Sequence, residues 1–126
     1  SIALSLMEET RHIPTAIAPS GAGFRREDLQ TFSCPTGISA MVMHGSRDLL
    51  FPDYGRQIAN WWARCNGCAI GGVREWDDSC EKRSSCRDGT SVKFCPGEGG
   101  HTVLPRRNAE LLSFFREVDE AVIARQ

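Results

Sequence analysis

Residues 38–43, Ile-Ser-Ala-Met-Val-Met, form a nearly unbroken apolar run bounded by Gly37 and Gly45. A strand with one face in water alternates polar and apolar side chains. A run without alternation suits a strand covered on both faces, as in a parallel sheet between layers of helices. The rest of the chain has to supply those covers.

Residues 53–65 supply the clearest one. Ile58, Trp61, Trp62 and Cys65 fall at i, i+3, i+4 and i+7, a single apolar stripe, with Asp53 placed to cap the start and Asn66-Gly67 to stop the end. A final helix begins near Asn108 and carries Leu111, Phe114, Phe115, Val118 and Val122 as its stripe. Residues 1–10 read as a short helix that ends at His12-Ile13-Pro14, since a residue before proline is pushed out of the helical region. Thr15 to Ala18 is β-prone, Phe24 to Gly37 reads as a polar loop, and Ser91 to Cys95 alternates with the period of a strand. Residues 68–90 read as loop, with a short strand at Val73-Arg74-Glu75-Trp76. Helices and strands in alternation define an α/β fold with a mainly parallel sheet flanked by helices.

Composition narrows the function. The 126 residues suffice for one domain, and a net charge of −1 argues against nucleic acid or an anionic membrane as partner, because both select a concentrated positive field. No apolar stretch approaches the roughly 20 residues of a membrane span. Six cysteines (34, 65, 68, 80, 86 and 95) in so short a chain point to an oxidising compartment. The opening Ser1-Ile2-Ala3 has neither an initiator Met nor a signal peptide and falls within expected helix, which leads us to expect a fragment.

In open α/β sheets, chemistry collects beyond the carboxyl ends of the strands. Two polar clusters stand there, His44-Gly45-Ser46-Arg47-Asp48 and Gly99-Gly100-His101-Thr102. A carboxylate on one such loop and a histidine on a later one suit a base whose tautomer the carboxylate fixes. α/β-Hydrolases order their triad Ser, Asp or Glu, then His, with the serine in Gly-x-Ser-x-Gly. Asp48 precedes His101 accordingly, but no Gly-x-Ser-x-Gly occurs in these residues; Ser1, Ser20 and Ser46 all lack its spacing.

The sequence Met43-His44-Gly45-Ser46-Arg47-Asp48, the helix with Trp61-Trp62 running into Asn66-Gly67-Cys68, and Gly99-Gly100-His101-Thr102 together resemble the polyhydroxybutyrate depolymerase/feruloyl esterase family of secreted α/β-hydrolases. The likeness spans residues 1–126 as the C-terminal part of one catalytic domain. It implies that the nucleophile and the oxyanion hole lie upstream, outside the chain. It further implies Asp48 as triad acid, His101 as triad base, and a disulfide between Cys68 and Cys86. The partner of this chain would then be the missing half of the same domain, the substrate an ester of plant polysaccharide or a polyester, and the location extracellular, with no cofactor or metal. Two features depart from the family: Val103-Leu104-Pro105 stands where tryptophan often follows His-Thr, and the segment with Trp76-Asp77-Asp78 and Cys80 has no counterpart.

Other readings compete at each position. Asp48 also suits a plain strand-end turn, and His101 a glycine-rich one. Asp53 rivals Asp48 as the acid, although its place before a helix favours capping. His44 reads as structural and His12 as solvated. Trp61 and Trp62 suit a core better than a sugar-stacking platform. The chain also fits a noncatalytic disulfide-stabilised binding domain, or an interaction module held by zinc on Cys65, Cys68, Cys80, Cys86 and Cys95. The pairing of Cys34, Cys65, Cys80 and Cys95 is open at this stage.

Overall fold

A computed structural model of the chain describes residues 14–20, 26–35, 37–69, 75–77, 80–83, 85–100 and 107–125. Strand β2 (Ser39–Gly45) is the apolar run, and every one of its residues is buried. It pairs in parallel with β1 (Ala16–Ile17) on one side and with β5 (Val92–Gly97) on the other, in the register Ala40↔Val92 to Gly45↔Gly97. Beyond β5 come β4 (Cys80–Lys82) and then β3 (Glu75–Asp77), both pairings antiparallel. The five-stranded order is β1-β2-β5-β4-β3. The sheet is therefore mixed, and the expectation of a mainly parallel sheet holds for its β1-β2-β5 half. The connections explain the other half: only residues 78–79 join β3 to β4, which allows an antiparallel return but no crossover.

Helix α1 (Arg26–Thr31) lies within the segment expected to be a polar loop, anchored by its one buried apolar residue, Leu29. Helix α2 (Tyr54–Cys65) buries Ile58, Trp61, Trp62 and Cys65, the four residues of its stripe. They pack with Leu29, Ile38, Ala40, Val42, Val92 and Phe94 on one face of the sheet. The tryptophan rings meet edge to face, centroids 5.0 Å apart, which places both in the core. Helix α3 (Asn108–Arg125) covers the opposite face, setting Phe114 and Val118 against Met41, Met43, Cys80 and Cys95. Phe115, expected in that stripe, is 39% exposed; the buried line runs through Phe114 and Val118.

Where α2 ends, Gly67 takes φ +63°, and a Cβ there would collide with the Arg87 side chain. The Arg87 backbone N–H donates to the Asn66 carbonyl and its guanidinium to the Cys65 carbonyl, which satisfies the helix end. Three disulfides join Cys34 to Cys65, Cys68 to Cys86 and Cys80 to Cys95. All six cysteines are thereby oxidised, which leaves no thiolate for the zinc site considered above. Among the described residues no helix is long and apolar enough to cross a membrane.

Candidate functional site

The parallel strands β2 and β5 end side by side, and their exits are joined through the backbone. Ser46 N–H donates to the Gly97 carbonyl at 2.8 Å, and Arg47 N–H to the Gly99 carbonyl at 3.2 Å. Gly45 makes this approach possible, because a Cβ at that position would overlap the Gly99 carbonyl oxygen. Gly100 passes close enough that a Cβ there would stand 3.5 Å from the Arg47 carbonyl oxygen. The two clusters singled out in the sequence are thus neighbours up to Gly100. His101 follows Gly100 directly in the chain but lies outside the described residues, as do His12, Ser1 and the expected helix at 1–10.

Asp48 closes the turn after β2 and is 3% exposed. Its Oδ1 accepts the backbone N–H groups of Leu50 at 3.0 Å and Phe51 at 2.9 Å, and its own N–H donates to the Gly45 carbonyl. Hydrogen bonds from backbone N–H to a carboxylate are charge-assisted and fix its orientation. The carboxyl group is therefore held in one rotational state before anything binds. Oδ2 lies 3.4 Å from His44 Nε2.

His44 has a place of its own. Its Nε2 lies 2.8 Å from the Phe51 carbonyl oxygen, an acceptor only, so Nε2 carries the proton. The ring is buried against Gly55 at the start of α2, where a Cβ would strike the His44 side chain. That buried position suits a support for the turn 48–51. Asp53, the rival acid, stands exposed with φ +60° and makes no side-chain bond to the helix end. The expected N-cap is thus a backbone one, the Asp53 carbonyl accepting the Gln57 N–H at 3.2 Å. The left-handed conformation explains this, since an N-cap side chain reaches the first turn from an extended backbone.

Ser20 forms a parallel bridge with Met43 and Ser46 is exposed in the turn; neither sits in an elbow. Cys68 and Cys86, the pair implied by the family resemblance, are bonded to each other and brace the far end of α2. At that end, opposite Asp48, lies a small polar cavity of about 140 Å³ between the Cys34–Cys65 bridge, Asn66, Arg87, Asp88 and Thr90. Asn66 Nδ2 donates to the Ile38 carbonyl while its buried Oδ1 has no hydrogen-bond partner among the described residues, an arrangement suited to an ordered water. No signal in the sequence marks this cavity, because its walls come from three separate segments.

No protein-family model matches the chain, and no curated protein matches it either.

Proposed function

We propose that the chain is the acid- and base-bearing part of a secreted serine carboxylesterase with an α/β-hydrolase fold. The observation that carries this reading is Asp48: a buried carboxylate, oriented by two backbone N–H groups, on the turn after a central parallel strand and beside the loop that leads into His101. A turn residue needs neither that burial nor the second loop. Three disulfides accord with an oxidising compartment.

In this mechanism a serine supplied by sequence outside these residues attacks the ester carbonyl while His101 takes its proton. His101 returns that proton to the departing alcohol, and Asp48 keeps the imidazole in the required tautomer and stabilises its cation. Water then attacks the acyl-enzyme by the same route and frees the acid and the serine. Neither a metal nor an organic cofactor takes part. The substrates are esters on plant polysaccharide or a polyester.

The test compares two neighbouring carboxylates in the protein that carries the serine. Asp48→Asn should lower kcat by about 10⁴-fold, the size of the corresponding loss in a serine protease. Its cost in stability should be about 1 kcal/mol, because the amide oxygen still accepts both N–H groups while the charge is lost. Asp53→Asn should change neither turnover nor melting midpoint appreciably, since that side chain bonds nothing at the helix end. Full activity in Asp48→Asn would refute the assignment, and an inactive serine-bearing protein would favour a binding domain.

A further inference from the structure

The turn that Asp48 closes carries two leucines that the fold does not use. Leu49 is 89% exposed and Leu50 is 68% exposed, the two most exposed large apolar side chains described. Leucine is a poor turn residue: it favours neither the bend nor contact with water, and such sites ordinarily hold Gly, Asn, Asp or Ser. Single exposed apolar residues are common on any protein. Here two are adjacent, and their backbone is held in place from both sides. Leu50 and Phe51 donate their N–H groups to Asp48 Oδ1, and the Phe51 carbonyl accepts the His44 Nε2 proton. The pair is therefore presented on a fixed turn at the carboxyl end of β2, the end of an α/β sheet at which ligands bind. The flanking Arg47, Pro52 and Asp53 are exposed as well, so among the described residues neither neighbour of the pair is covered.

We propose that Leu49 and Leu50 form the contact for the hydrocarbon part of the ester substrate. This rests on the esterase reading for its substrate but not for its geometry. An ester places an apolar chain next to a carbonyl. For a carbonyl presented to a base held by Asp48, the exposed apolar residues next to that carboxylate in the chain are Leu49 and Leu50. Binding then removes both leucines from water, and affinity rises with the length of the chain. The same carboxylate that orients the base also fixes the apolar contact, so chemistry and recognition share one anchor.

The test reads binding on the 126-residue chain without any need for turnover. Amide resonances of ¹⁵N-labelled protein are followed during titration with methyl hexanoate, and with methyl acetate as the short-chain probe. Methyl hexanoate should shift residues 48–51 in a saturable manner, and methyl acetate should bind about tenfold more weakly, equivalent to about 1.4 kcal/mol. The double variant Leu49→Ser/Leu50→Ser should weaken methyl hexanoate about tenfold with an otherwise unchanged spectrum. Shifts confined to other residues, equal affinity for the two esters, or an unaltered Kd in the double variant would each overturn the proposal. In the serine-bearing protein the two readings separate. Turnover with a KM for hexanoate esters that ignores the leucines removes the contact and keeps the esterase. Binding at residues 48–51 without turnover removes the esterase and keeps the contact.

Discussion

Two glycines in the contact between the strand exits differ in what they can tolerate, although both lie in the same motif-bearing loops. A Cβ at Gly45 would occupy the space of the Gly99 carbonyl oxygen, whereas a Cβ at Gly100 would rest at an ordinary 3.5 Å from the Arg47 carbonyl. Gly45→Ala must therefore push the β5 exit away from Asp48 and should cost about 1–3 kcal/mol, as overpacking does. Gly100→Ala should stay within about 0.5 kcal/mol of the parent. Denaturant titration of the two variants checks the contrast, and equal losses would contradict the geometry. At this scale the sequence shows residue types better than their duties. Asp48 and His44 stand out by their place after an apolar strand. Nothing in the sequence tells that Phe51 would draw both of them inward, because its carbonyl and N–H are backbone groups that every residue has. Asp53 misleads for a similar reason: its type favours an N-cap, but its left-handed backbone turns the side chain from that task.

Among the elements, legibility follows from how each one buries itself. Strand β2 and helix α2 are readable because apolar side chains alone cover them, with periods that leave no second interpretation. Strand β4 is not readable, since beside the buried Cys80 its other buried residue is Glu81, 2% exposed and matched by Arg56 at 3.2 Å and Arg83 at 3.3 Å. A buried charge is tolerated when it is paired, but the pairing with Arg56 spans 25 residues and cannot be seen locally. In the same way Lys93 makes β5 look half exposed, while its ammonium group reaches Glu117 of α3 at 3.1 Å and both faces of the strand are covered. Helix α1 escapes notice because it is one and a half turns long with a single buried anchor. Among the described residues of the segment between α2 and β5, the buried hydrophobic ones are Cys68 and Cys80, both in crosslinks. Replacing Cys68 and Cys86 with alanine, which opens a bridge across 18 residues, should cost about 3 kcal/mol. Calorimetry of the double variant measures the loss, and an unchanged midpoint would show that the bridge does not stabilise the fold.

For the molecule as a whole, the six cysteines decide between two ways of holding a small domain together. Thiol titration in denaturant should find no reactive group before reduction and six after it, and a metal chelator should leave the melting midpoint where it was. Thiols titrating before reduction, together with a chelator-sensitive midpoint, would restore the zinc alternative. The mixed sheet follows from the same economy of length. Its central pair, β2 and β5, is parallel and covered by α2 on one face and α3 on the other. The edge beyond β5 is finished by a short antiparallel ribbon that needs no helix of its own.

The order of the bridges along the chain decides what a single cut in the backbone can do. Cys34–Cys65 closes one ring, while Cys68–Cys86 and Cys80–Cys95 overlap to form a second. A protease that nicks any exposed loop inside either ring leaves the two pieces tethered through sulfur. Between residues 34 and 95 only the join from Cys65 to Cys68 lies outside both rings, so only a cut there would part them. At that join Asn66 is buried, its N–H donates to the Trp62 carbonyl, its side chain to the Ile38 carbonyl, and its own carbonyl accepts from Arg87. The one peptide stretch whose scission would part the rings therefore offers a single exposed residue, Gly67, in a turn whose N–H groups are hydrogen-bonded, and a cut elsewhere between the bridges need not become loss of parts.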